Sequence, residues 1–186
     1  MTSFQSLLAA FEQAAATRDT ARFAALFTAN AVYHDGFFGP HRGREAIAAM
    51  LERFHVGGER FAWQFFEPAA NEVAGGAVGY ARYCFSYVSK EPESAGQLIV
   101  FEGMARFRLE GGPEDALIAD YDEVFDRGMA FVQLGYAGER VVKLLKRYAQ
   151  GFRESAFARE HVAWRERQAP HTPIAASNDN GTPPQA

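Results

Sequence analysis

Residues 97–125 read QLIVFEGMARFRLEGGPEDALIADYDEVF, and the alternation in this stretch decides the fold. Ile99, Phe101, Gly103, Ala105 and Phe107 occupy every second position, separated by Glu102, Met104, Arg106 and Arg108. The turn-rich EGGPED follows, after which Leu117, Ala119, Tyr121, Glu123 and Phe125 alternate with Ile118, Asp120, Asp122 and Val124. Strand side chains point to opposite faces in turn, so each run presents an apolar face to a core and a polar one to solvent. Two such runs joined by a short turn are antiparallel neighbours.

Moving towards the N-terminus, the same period recurs. In Ala77–Ser89, Ala81, Tyr83, Phe85 and Tyr87 oppose Tyr80, Arg82, Cys84 and Ser86. In Arg60–Phe66, Phe61, Trp63 and Phe65 oppose Ala62, Gln64 and Phe66. A short strand is expected at Ala31–Asp35, with Tyr33 and Asp35 on one face and Val32 and His34 on the other. Before these strands the period changes to that of helices. Phe4, Leu7, Leu8, Phe11 and Ala15 form one stripe, and Phe23, Leu26 and Phe27 form another behind the capping residue Asp19. Ile47, Met50, Leu51 and Phe54 mark a third helix, stopped by Gly57-Gly58. The segment GFFGPH at 36–41 reads as a loop.

Helices followed by long strands with short connections predict an α+β fold. The expected architecture is a curved antiparallel sheet forming a cone around an apolar pocket, covered by N-terminal helices, with a C-terminal helical extension. The expected boundaries are 1–135 for the domain, 136–167 for the extension and 168–186 for a disordered tail. In the extension Val141, Leu144, Leu145, Tyr148 and Phe152 share a stripe, with a kink expected at Gly151. The tail APHTPIAASNDNGTPPQA has no apolar period.

Charge divides along the same boundary. Residues 1–138 carry a net −7, residues 139–167 a net +4, and the whole chain −4. An acidic chain is not built for general polyanion binding, so no nucleic-acid partner is expected. Mixed charges such as Arg153-Glu154 and Arg159-Glu160 in the extension favour packing on protein, and no membrane partner is expected. Cys84 is the sole cysteine, which excludes an intrachain disulfide. Together with an N-terminus that reads as a helix rather than a signal peptide, it predicts a cytoplasmic protein.

Seventeen Phe residues exceed what a small core ordinarily needs and suit a ring-lined pocket. Parity places Tyr33, Asp35, Tyr83, Tyr121 and Glu123 among those rings. A carboxylate there is costly to desolvate, so its pKa rises and it becomes a candidate general base. The alternative for Asp35 is a cap on the GFFGPH turn. No metal site is expected, because His34, His41 and His55 lack ligand spacing and fall on an outer face, in a loop and at a helix end. The remaining pocket-lining candidates are Phe37, Phe38, Trp63, Phe85 and Phe101.

Arg18-Asp19, Ala31-Val32-Tyr33-His34-Asp35, Gly43-Arg44-Glu45-Ala46-Ile47 and Tyr121–Asp126, in this order, resemble the nuclear transport factor 2-like superfamily, the ketosteroid isomerase and SnoaL-like group. The resemblance covers roughly residues 4–126 and implies the cone-shaped fold. Similarity to ketosteroid isomerases implies that Asp35 matches their general base, while Gly103 stands where their second acidic residue lies. Similarity to limonene epoxide hydrolases implies that Tyr33 and Asp35 match a water-holding Tyr-x-Asn pair and that Glu123 matches their base. The Arg-x-Asp pair of those enzymes is replaced by Gly103 and Ala105. The expectation is a cofactor-independent acid–base enzyme acting on a small apolar molecule, with Asp35 as base, Tyr33 positioning it and Glu123 or Tyr83 donating a proton. A non-catalytic binding or dimerisation module is the alternative. A homodimer through the outer sheet face is expected from the same resemblance.

Overall fold

The computed structural model describes residues 3–112 and 115–168; the tail expected beyond Gln168 lies outside them. Helices α1 (Ser3–Thr17) and α2 (Thr20–Ala25) precede strand β1 (Phe27–Asp35), strand β2 (Gly39–Arg42) and helix α3 (Gly43–Gly57). Strands β3 (Gly58–Val73), β4 (Gly76–Ser89), β5 (Leu98–Glu110) and β6 (Leu117–Phe125) follow, then helices α4 (Arg127–Gln133), α5 (Gly138–Arg153) and α6 (Ala156–Gln168). The chain divides into a unit ending at Val142 and a second beginning at Lys143.

One six-stranded sheet has the order β2-β1-β6-β5-β4-β3. Its pairs are antiparallel except one: β1 runs parallel to β6, with Tyr33 beside Tyr121. The sheet is therefore mixed, which corrects the all-antiparallel expectation. Local alternation cannot reveal this, because β1 and β6 are joined only through the rest of the sheet.

Three further corrections have local causes. Residues 39–42 pair with β1 instead of forming a loop, because Asp35 folds the chain back on itself. Its Oδ1 accepts hydrogen bonds from the N–H groups of Phe37 and Phe38, both at 2.7 Å. Strand β3 continues through Glu67–Val73, past the expected end at Phe66, by way of a register shift between Phe66 and Ala69. Ile118, assigned by parity to the outer face, is fully buried beside the equally core-directed Ala119. A bulge accounts for it: Arg108 pairs with Asp120 but Leu109 with Ile118, so one extra residue resets the alternation.

The stripe of α1 packs as its period requires. Phe4, Leu8 and Phe11 are buried, and the Phe11 ring lies 4.7 Å from Phe23, 5.1 Å from Trp63 and 5.6 Å from Tyr121. Glu12 on the same helix accepts from the Phe65 N–H at 2.6 Å, which pins α1 to the irregular part of β3. Arg44 of α3 donates to the Phe27 carbonyl at 2.7 Å and ties that helix to β1. In the second unit the helical run breaks at Ser155, not at Gly151. The Ser155 hydroxyl accepts from Ala158 N–H at 3.1 Å and caps α6.

The β3–β4 hairpin supplies a test. Gly76 has φ +153°, and a Cβ there would lie 1.9 Å from the Leu109 carbonyl oxygen; Gly75, at φ +85°, meets nothing. Gly76→Ala is expected to cost at least about 2 kcal/mol, roughly a 5 °C fall in Tm. Gly75→Asn, whose side chain tolerates the left-handed region, is expected to cost a fraction of that. Equal melting temperatures for the two variants in calorimetry would show that the close approach to β5 is absent.

Candidate active site

The core-facing side of β1, β6 and β4 brings Tyr33, Asp35, Tyr121, Glu123 and Tyr83 together. Parallel pairing stacks the Tyr33 and Tyr121 rings, with centroids 4.4 Å apart and planes 25° from parallel. Two residues along β6, on the same face, Glu123 accepts a hydrogen bond from the Tyr121 hydroxyl at 2.9 Å. Tyr83 approaches from β4 across Gly103, its cross-strand neighbour on β5. A Cβ at Gly103 would fall 2.6 Å from the Tyr83 hydroxyl and 2.5 Å from the Val124 carbonyl oxygen. The missing side chain is what lets the phenol lie over β5 towards Glu123.

Burial dominates the electrostatics. It pushes the Glu123 carboxyl from an ordinary 4.5 up to about 7. The negative charge of Asp35 adds to the rise, while hydrogen bonding from Tyr121, Tyr83 and the Gly36 backbone works against it. Asp35, itself buried, is also raised by desolvation; its two backbone hydrogen bonds and the nearby positive charges of His41 and Arg127 oppose the shift. The phenols of Tyr33, Tyr83 and Tyr121 are all raised, by burial first and then by Glu123, so they stay protonated at neutral pH. Arg127, at the start of α4, donates to the Gly36 carbonyl at 2.5 Å and lies 5.4 Å from the Phe125 ring centroid.

Among the described residues, four buried polar atoms close no hydrogen bond of ordinary geometry: Tyr33 Oη, Tyr83 Oη, Trp63 Nε1 and His41 Nε2. Tyr83 is near enough to Glu123 for each to shift the other's pKa, yet its hydroxyl does not close a bond of ordinary geometry. Groups of this kind are costly to bury and nearly always satisfied.

Of the aromatic candidates, Trp63 lies 5.5 Å from Tyr83 and 4.7 Å from Phe85, and Phe85 lies 5.3 Å from Phe101. Phe37 packs 5.1 Å from Phe125 and 5.5 Å from Phe131. Phe38 is not brought in; it is 75% exposed. His41 was missed. It sits opposite Tyr33 on β2, with burial lowering its pKa and Asp35 opposing the shift. The pairing of 39–42 with β1 was the missing signal. His34 and His55 are structural: His34 bonds Asp120 at 3.1 Å and His55 reaches the Ala15 carbonyl at 2.9 Å. Among the described residues no cluster of His, Cys, Asp and Glu could hold a metal ion.

Comparison with known proteins places this arrangement. No curated protein matches the chain by sequence. Among solved structures, the chain resembles a hexachlorocyclohexane dehydrochlorinase of type 2, with TM-score 0.60 and 13% identity, over 67% of this chain and 83% of that one. It also resembles a protein of ketosteroid isomerase-like fold from Catenulispora acidiphila in complex with trimethylamine, with TM-score 0.58 and 17% identity, over 72% and 95% of the chains. A provisionally named polyketide cyclase from Xanthomonas campestris pv. campestris gives TM-score 0.57 and 19% identity, over 71% and 96%. At these identities the likeness shows the fold alone. The profile of the SnoaL-like domain matches residues 8–121, more than half of the sequence, and the chain belongs to the SnoaL-like family.

Proposed function

We propose that the protein is a cofactor-independent acid–base enzyme for a small, largely apolar molecule, with Glu123 as the proton acceptor. The observation that carries this reading is a carboxyl with pKa about 7 held among three protonated phenols, of which Tyr121 donates to it at 2.9 Å. A base titrating near neutrality combines a usable deprotonated fraction with real proton affinity. Tyr83 and Tyr33 would donate hydrogen bonds to oxygen on the substrate as charge develops there. Their raised pKa values keep them donors. Phe37, Phe85, Phe101 and Trp63 would line the pocket that holds the apolar part. Likeness to the dehydrochlorinase and the cyclase supports small-molecule chemistry of this kind.

Asp35 takes a different part from the base expected of it. One oxygen is occupied by two backbone N–H groups that shape the β1–β2 turn. Its charge holds up the pKa of Glu123 from the side. It would thus be a positioning and electrostatic residue. The same bonds are what a purely structural cap would make, and they favour the non-catalytic binder as the second reading.

The outer sheet face is proposed as a homodimer interface. Tyr80, Met104 and Val124 are 45%, 47% and 64% exposed there, between the ion pairs Arg82–Glu102 and Arg106–Asp120. Met104→Lys is expected to convert a dimer to monomers in analytical ultracentrifugation. A wild-type chain that sediments only at 20.6 kDa at micromolar concentration excludes the interface.

Glu123→Gln keeps the shape and can still accept from Tyr121, but has no basicity. Turnover is expected to fall by at least about 100-fold. In the unsubstituted protein, kcat is expected to rise with pH through about 7. Stability should move the other way. The folded state holds the Glu123 proton more tightly than the unfolded chain. That contribution is full below pH 4.5 and is lost as pH rises through about 7. Above pH 8 the Gln variant should be the more stable protein, by as much as about 3 kcal/mol. A variant that loses turnover and also melts lower at pH 8 would mean that Glu123 is a structural anchor.

Tyr121→Phe removes a hydrogen bond made to the charged carboxylate. The Glu123 pKa, followed by carboxyl-carbon NMR, is expected to climb above 7 by roughly one unit. No change would show that the bond does not form in solution.

A further inference from the structure

The search for a second functional feature ends on the C-terminal helices. On α5 the sequence GERVVKLLKRYAQGFR separates into two faces. At 100° per residue, Val141, Val142, Leu144, Leu145, Tyr148, Ala149 and Phe152 fall within one arc, while Lys143, Lys146, Arg147 and Arg153 lie on the remaining side. Arg153 and Lys146 border the apolar arc directly. No residue of α5 is buried, and Val142, Leu145 and Phe152 are 52%, 38% and 61% exposed.

Helix α6 adds an aromatic row. Phe157, His161 and Trp164, at i, i+4 and i+7, share one face, and the His161 ring stacks on Trp164 at 5.6 Å. Phe157 is 75% exposed and Trp164 51%. Residues 139–167 carry a net +4, beside −7 for the chain before them.

We infer that α5 and α6 form a surface anchor for an anionic lipid bilayer, with the apolar arc of α5 and the Phe157–Trp164 row at the acyl boundary and Lys143, Lys146, Arg147 and Arg153 at the phosphates. On α5, low overall hydrophobicity, sharp segregation of faces and cations beside the apolar stripe are what an interfacial helix requires; α6 contributes its aromatic row rather than a second segregated face. Lysine and arginine stems can bury their carbons and still reach headgroups. The charge pattern selects this occupant. Two copies of α5 laid face to face would bring like charges together. A nucleic acid would use the cations but leave the apolar and aromatic rows unpaired. No described helix is long and apolar enough to cross a membrane, so the association is with the surface. The expectation of no membrane partner took the Arg-Glu pairs at face value; three of them lie in or beside α6, and α5 itself holds one acid, Glu139.

The test uses the full chain and vesicles of phosphatidylcholine with or without phosphatidylglycerol. Flotation with the anionic vesicles is expected, weakening as salt is raised. A blue shift of Trp164 emission is expected with it, absent in Trp164→Phe, since the other tryptophan, Trp63, is already buried. Each cation near an anionic surface contributes roughly a factor of five, so K143Q/K146Q/R147Q is expected to partition about 100-fold less. Circular dichroism and turnover of that variant should match the unsubstituted protein. Failure to float with either vesicle overturns the inference. So does equal binding to the neutral vesicles. A salt-sensitive dimer whose Trp164 is blue-shifted without lipid overturns it in favour of a second copy of the chain.

Discussion

A carboxyl group that cannot be fully hydrated is the constraint on which the rest of this site depends. Glu123 lies on the core-facing side of β6, where its neighbours are Tyr121 and Phe125. An unpaired carboxylate in such surroundings would cost several kcal/mol, and the structure meets that cost in two ways. It surrounds the group with donors, of which the Tyr121 hydroxyl at 2.9 Å is the best formed. It also leaves the proton available near neutral pH instead of enforcing the charge. A buried ion pair would have held the charge permanently and removed the basicity. Phenols stabilise the anion only in part, which is the compromise a reversible proton acceptor needs.

Parity in single strands made much of this legible. Tyr33 and Asp35 on β1, Tyr83 on β4, and Tyr121 and Glu123 on β6 were placed on the core face by alternation alone, and all are there. What alternation could not show is pairing between distant segments. The parallel contact of β1 with β6, which stacks Tyr33 on Tyr121, has no local signature. The bulge at Ile118 reverses a parity that the sequence displays as uninterrupted. His41 escaped notice because Pro40 and two glycines nearby read as loop, whereas Asp35 folds that loop into a strand opposite Tyr33. The one residue thus hides a site member from the sequence and supplies the turn that positions it.

The same bonds divide the two acids. Asp35 is buried, Glu123 half-buried, and both are raised by desolvation, so composition and parity treat them alike. Asp35 spends one oxygen on two amide hydrogens, an arrangement that favours its charged form. Glu123 accepts from the Tyr121 phenol and is raised further by the charge of Asp35. Environments that push two neighbouring carboxyls apart assign them different work. In the proposed reading the anchored acid positions the site and Glu123 is the base.

Gly103 explains how this family member departs from the relatives it resembles without losing a donor. The resemblance to ketosteroid isomerases and limonene epoxide hydrolases implies an acid or an Arg-x-Asp pair near this place on β5; here Gly103 has no side chain and Ala105 only a methyl group. The vacancy is not neutral space. Tyr83 extends across it from the adjacent strand, with its hydroxyl 2.6 Å from where a Cβ would stand. Any larger residue at 103 would collide with that phenol and with the Val124 carbonyl, so glycine at 103 and tyrosine at 83 form one choice. Beside Glu123 the strand pair thus presents a phenol of raised pKa, a group that stays protonated at neutral pH. An acid at 103, added to Asp35, would push the Glu123 pKa higher still. The phenol supplies a donor without that penalty, and it leaves Glu123 the group in this cluster whose protonation changes close to pH 7.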